Sequence, residues 1–168
     1  MIKLLPMMQL EELNLLEKYL DKEKVICEYG SGGSTNWLSE RTKFVYSIEH
    51  NKEWYDKTKS SLSNRENVEI FYVPSFNWDP STEGNIDSFE NYINMPGTLN
   101  IDFSFFLVDG RARVDCCRFI SKKFPTAIIA FHDYTNRAND VEHNYSRVLE
   151  HLTLIETCKT LAIFKKKV

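Results

Sequence analysis

Val25–Thr35 (VICEYGSGGST) and Phe44–Glu49 (FVYSIE) decide the fold. Lys24–Glu28 is a short, mostly apolar run that stops at glycines, the pattern of a strand buried on both faces. Ser34 and Thr35 follow the glycines and can cap a helix running to Arg41. Phe44–Glu49 is then a second strand. Strand, glycine turn, helix, strand is how a parallel sheet with right-handed crossovers begins.

The alternation continues outward. Asn51 caps a helix with Trp54, Thr58 and Leu62 on one face, and Val68–Val73 (VEIFYV) is a third strand. Pro74, Pro80, Gly84, Pro96 and Gly97 punctuate residues 74–100, where Asp87–Ile93 predicts one short helix. Phe103–Val108 (FSFFLV) is a buried strand ended by Asp109 and Gly110. Val114, Cys117, Ile120 and Phe124 mark a helix, and Thr126–Phe131 (TAIIAF) the next strand. Residues 140–150 predict a helix with Val141, Tyr145 and Val148 inward. Leu152–Cys158 and Leu161–Lys166 close the chain as two strands joined tightly at Thr160, an antiparallel edge. On the other side, Leu10, Leu13, Leu16 and Leu20 predict an amphipathic helix over 7–21. The expectation is one α/β domain over 1–168, an N-terminal helix within 1–21 and a core over 22–168. Its sheet is seven-stranded and mostly parallel.

The 168 residues carry 21 basic and 24 acidic side chains, net −3, so a nucleic-acid binder working through a basic face is not favoured. Cys27, Cys116, Cys117 and Cys158 show no C-x-x-C spacing and read as reduced core thiols. The apolar stretch within Met1–Leu10 is short and broken by Pro6, unlike a signal peptide, and no run has membrane-spanning length. The expectation is a soluble, cytoplasmic protein without a membrane partner. His143, His151 and Lys165–Lys167 read as surface groups; Trp37 and Trp54 read as core, and Trp78 as a wall for an acceptor.

Ligands of open α/β sheets bind at the carboxyl ends of the strands, where strand order reverses. Gly30, Ser31, Gly32 and Gly33 stand there, and glycines admit tight turns and close approach of a ligand to the backbone. Glu49 ends the second strand 19 positions after Gly30, the spacing at which an acid accepts hydrogen bonds from ribose. A dinucleotide fingerprint needs glycine at position 35, where this chain has Thr35. Glu28, two residues before the first glycine, would repel a pyrophosphate but suits an ammonium group.

Val25–Thr35 and Val45–His50 (VYSIEH) together resemble the first two motifs of class I S-adenosylmethionine-dependent methyltransferases. Leu107–Arg111 (LVDGR) resembles their fourth motif, and Ala130–Tyr134 (AFHDY) the end of their fifth strand. The resemblance implies a Rossmann-like methyltransferase fold with S-adenosyl-L-methionine as cofactor. It sets Glu28, Gly30, Gly32 and Ser34 against the methionine part, with Ser31 and Thr35 in the same loop. It sets Glu49 at the ribose, His50 beside the adenine, and Ser75 and Phe76 at the adenine pocket, although an acid often stands where this chain has Ser75.

Asp109, Arg111, Arg113, His132, Asp133 and Arg137 cluster after the fourth and fifth strands. His132, whose unperturbed pKa is near neutral, is the expected base. Asp133 orients it, and Asp109 reaches the methyl-donor region. Arg111, Arg113 and Arg137 would grip an anionic acceptor. Related O-methyltransferases hold magnesium with carboxylates at about these positions. Two hard carboxylates suit Mg²⁺, but His132 stands where another acid is usual, so Mg²⁺ is possible but not favoured. The implied activity is methyl transfer to an oxygen of a small molecule or sugar, with a partner subunit as a further source of pocket residues. The rivals are a methyltransferase-fold binding protein without turnover and a nicotinamide-dependent oxidoreductase.

Overall fold

The structure, a computed structural model, describes residues 5–167, so the start of the Met1–Leu10 stretch lies outside the described residues. Seven strands form one sheet: β1 (Val25–Tyr29), β2 (Phe44–Glu49), β3 (Val68–Tyr72), β4 (Phe105–Val108), β5 (Ile128–Phe131), β6 (Leu152–Cys158) and β7 (Leu161–Lys166). Their order is β3-β2-β1-β4-β5-β7-β6. The first five strands pair in parallel, and β7 runs antiparallel to both β5 and β6. Chain order reverses between β1 and β4, so a crevice opens beyond their carboxyl ends.

Both faces of the sheet are covered. Phe105 and Leu107 pack with Leu15, Leu16, Leu38 and Ile163 on one side. Phe106 and Val108 pack with Tyr29, Tyr92, Cys117 and Phe124 on the other. Alternate β4 residues serve opposite cores, which is why the strand reads as an unbroken apolar run. Five further helices follow α1 (Leu10–Glu17): α2 (Gly33–Ser39), α3 (Lys52–Ser61), α4 (Ile86–Asn94), α5 (Arg113–Lys123) and the single turn α6 (Tyr134–Arg137). No helix among the described residues is long and apolar enough to cross a membrane.

Three expectations need correction. The first helix is shorter than 7–21, and its buried stripe is Glu12, Leu15 and Leu16 rather than the leucine series, leaving Leu10 exposed. The helix starts at Leu10 because the Gln9 N–H donates to Glu12 Oε2 at 2.8 Å. β4 and β5 begin two residues late, since their ladder opens at Phe105 against Ile128. Residues 140–150 are not one helix. Asp140 Oδ1 accepts from the N–H groups of Glu142 and His143, an Asx turn that competes with helix. Asn144 then has φ +44°. Only a 3-10 turn at Tyr145–Glu150 follows; Tyr145 and Val148 are buried and Val141 is fully exposed.

Candidate active site

Beyond the carboxyl ends of β1 and β4 lies a cavity of about 820 Å³, within the usual ~300–1,000 Å³ for ligand pockets. Gly30–Ser34, Glu49 and His50 form one wall; Asp109, Gly110, Arg111, Arg113 and Arg137 form the other; Trp78 and Pro80 line it too, with Leu5 and Met7 from the N-terminal segment and Asn51, Glu53 and Trp54 around the start of α3. Gly30 has φ +89°, and a β-carbon there would lie 2.8 Å from Asp109 O. Glycine alone lets the two strand-end loops meet this closely.

Two buried carboxylates organise the glycine loop. Glu49 Oε2 accepts from Ser31 N at 2.9 Å, and Glu49 Oε1 accepts from Asn51 N at 2.8 Å. Trp54 Nε1 donates to Ser31 O, tying the loop to α3. Glu28 lies deeper. Its Oε2 accepts from Thr35 Oγ1 at 2.6 Å and Ser47 Oγ at 2.8 Å, and Thr35 Oγ1 accepts from Gly32 N. Burial pushes the Glu28 carboxyl up to about 7 against the hydrogen bonds of Ser34, Thr35 and Ser47. Its Oε1 has no partner. His50 lines the cavity edge-on to Trp78 and Phe89. Its Nδ1 lies 3.1 Å from Glu49 Oε1 without making a hydrogen bond.

Thr35 therefore supports a carboxylate rather than a third glycine turn, and that acid under the loop opposes a pyrophosphate. S-adenosylmethionine fits better: it brings an ammonium group, a ribose diol and an adenine. Glu49 and His50 face the cavity; Glu28 and Thr35 lie behind the loop and are not among its walls. Ser75 and Phe76 do not reach it either. Val73 N donates to Glu49 O, then the chain turns away through Asn77 at φ +45°, leaving Phe76 exposed; Trp78 and Pro80 return to the cavity instead.

On the opposite wall Arg113 is the hub. Its guanidinium donates to Gly110 O at 3.0 Å and His132 O at 2.6 Å, and lies 3.3 Å from Asp109 and 3.4 Å from Asp133. It is buried, and despite desolvation the carboxylates keep it firmly charged. Its donors are committed within the protein, so it is a structural cation more than a grip for an acceptor. Arg111 and Arg137 are about one-third exposed and held loosely, 3.5 Å from Glu83 and 3.6 Å from Asp133. Asp109, His132 and Asp133 have donor atoms within 4.8 Å of one another. The Arg113 cation already lies against both carboxylates, so these residues do not fit a resident magnesium ion.

His132 does not line the cavity. Its Nδ1 lies 3.0 Å from Asp109 Oδ1 and its Nε2 3.6 Å from Glu12 Oε2. Burial alone would lower its pKa, but Asp109, Asp133 and Glu12 raise it overall. His132 stands off the wall, and Asp109 is the member of the pair that reaches the cavity. Sequence reasoning missed Glu12 and Glu83. Glu12 left one signal, an acid on the buried stripe of an amphipathic helix. Glu83 left none.

No protein-family model matches the chain, and no curated protein matches it. Solved structures do. A methyltransferase-like protein of Silicibacter pomeroyi is 26% identical, aligned over 98% of this chain and 89% of that one, with TM-score 0.78. An rRNA methylase of Streptococcus thermophilus is 18% identical over 96% and 99%, with TM-score 0.62. The N-methyltransferase NodS of Bradyrhizobium japonicum, in complex with S-adenosylhomocysteine, is 14% identical over 92% and 83%, with TM-score 0.58. The chain has the Rossmann-like fold of class I methyltransferases.

Proposed function

We propose that this chain, built on the class I methyltransferase fold, is an S-adenosylmethionine-dependent methyltransferase acting on an oxygen of a small, anionic acceptor. The observation that carries this is the shared cavity: a glycine loop and Glu49 on one wall, Asp109 and two loosely held arginines on the other. S-adenosylmethionine, when bound, supplies a methyl group made electrophilic by its sulfonium. Glu49 holds the ribose hydroxyls, and His50 with Trp78 flanks the base. Glu28, behind the loop and ionised above about 7, adds negative potential for an ammonium group. Asp109, on the cavity wall with its Oδ1 against His132, would take the proton of an acceptor's hydroxyl. His132 holds Asp109 in place, and Asp133 holds Arg113 and Arg137. Alignment of two reactants in one cleft contributes ~7–11 kcal/mol to such a displacement.

Arg111 and Arg137 favour a carboxylate or phosphate on the acceptor, since forked guanidinium donors match those groups. The acceptor is a small molecule. The near-balanced charge speaks against a nucleic acid. The free thiols fit a reducing compartment, and we place the protein in the cytoplasm.

Calorimetric titration with S-adenosylhomocysteine tests this. The wild type binds, and Glu49→Ala weakens binding roughly ten- to a hundredfold, the cost of losing a charged hydrogen-bonding partner. Thermal unfolding confirms that the variant folds. No binding by the wild type, or equal binding by a folded variant, overturns the proposal.

A further inference from the structure

We infer that Glu12 on α1 is a positioning residue for Asp109, acting through His132. The three side chains form a line from the first helix to the cavity. Asp109 is on the cavity wall. Its Oδ1 faces His132 Nδ1 at 3.0 Å, and His132 Nε2 faces Glu12 Oε2 at 3.6 Å. His132 is held between two carboxylates from different elements, which fixes the direction of its Nδ1–H and so the direction of Asp109.

Glu12 is 1% exposed although charged, and burying a carboxylate is costly unless it is paired. Its fastening partners are donors to both oxygens. Oε1 accepts from Thr160 N at 2.9 Å and Thr160 Oγ1 at 2.6 Å, and Oε2 accepts from Gln9 N. A neutral amide oxygen would receive the Thr160 hydrogen bonds, but its –NH2 would meet the Gln9 N–H donor against donor, so Glu12→Gln alters the Gln9 contact as well as the charge. What demands an anion is the imidazole. The charged groups around His132 are Glu12 from α1, Asp109 after β4, Asp133 beside it at 4.0 Å, and Arg113 of α5, which donates to the His132 carbonyl. Removing Glu12 takes the anion away from the Nε2 side, so the ring is no longer held in line with Asp109 from both ends.

The proposal rests on the cavity being the cofactor site, and its test separates the two. The variants are Glu12→Gln, Asp109→Asn and the double variant, each checked by thermal unfolding. Proton–nitrogen correlation spectra of the His132 ring need no ligand. In the wild type Asp109, Asp133 and Glu12 raise the pH at which the ring titrates, with Nδ1 facing Asp109; Glu12→Gln lowers that pH and weakens the Nδ1–H signature. Titration with S-adenosylhomocysteine is the second readout. Asp109→Asn weakens binding, Glu12→Gln weakens it by part of that factor, and the double variant is no weaker than Asp109→Asn alone, a non-additivity on the order of threefold or more. A purely fastening role for Glu12 gives additive losses and an unchanged His132 titration, and either result overturns the inference. If wild-type protein does not bind S-adenosylhomocysteine, the proposed function fails while the ring spectra still decide the Glu12–His132–Asp109 link. Should Glu12→Gln not fold, Glu12→Asp, which keeps the charge but draws it back by one methylene, gives the same comparison; a His132 titration identical to wild type then counts against the link.

Discussion

Glu28 is wholly buried with one oxygen unpartnered, and burial lifts its carboxyl from 4.5 to about 7. For an acid raised in the folded state, the native protein binds more protons than the unfolded chain between those values. The stabilisation from Glu28 is therefore complete below about 4.5 and is lost as pH rises through about 7. Its size is on the order of 3 kcal/mol, since each tenfold change in proton affinity corresponds to ~1.4 kcal/mol. Glu28→Gln, which mimics the neutral acid, gains stability relative to wild type as pH rises from 4.5 to 7. Denaturant unfolding of both proteins across that range measures the difference; a pH-independent difference contradicts the raised carboxyl. The proposed preference of the loop for an ammonium group over a pyrophosphate rests on the ionised form of this acid, which prevails above about 7. That preference is legible from Glu28 and Thr35 in the sequence. Burial of Glu28 behind the loop is not, because a glycine turn can aim the preceding side chain inward or outward.

Elements differ in how clearly the sequence announces them. Phe105–Val108 is covered on both faces, so its apolar run has no competing interpretation. The β6–β7 pair is equally plain, closing from Cys158 opposite Leu161 and shifting register once, between Leu154 and Glu156. Residues 140–150 imitate a helix in their apolar spacing, but Asp140 takes two backbone N–H groups that a helix would have used. The first helix is shorter than its expected span, and hydrophobic spacing alone cannot select Glu12 over Leu10 for its buried stripe. Docking of α1 rests on Leu15 and Leu16 against Ile26, Phe105 and Leu107. Leu16→Ala, at a site 1% exposed, costs about 2–5 kcal/mol by lost burial and the cavity left behind. Urea unfolding measures it. A loss below about 1 kcal/mol would mean that α1 packs loosely, and a loosely packed helix could not hold Glu12 against His132.

At the scale of the whole molecule, strand order places the site. The reversal between β1 and β4 brings the glycine loop, Glu49 and Asp109 around one cavity, though Gly30 and Asp109 stand far apart in the chain. The motifs at the strand ends are legible because each is local. The ion pairs linking Arg113, Glu83, His132 and Glu12 are not, because contacts between side chains so distant in sequence leave no periodic trace. The acceptor is read from the arginine-lined end of the cavity alone, since one fold serves many chemistries. The central claim is that this cavity seats an adenosyl amino acid between Glu49 and Asp109. A crystal structure of the protein with S-adenosylhomocysteine tests it most directly. The account predicts ribose hydroxyls on Glu49 and the sulfur turned toward Asp109; a cavity closed to the ligand, or a ribose bound away from Glu49, would contradict it.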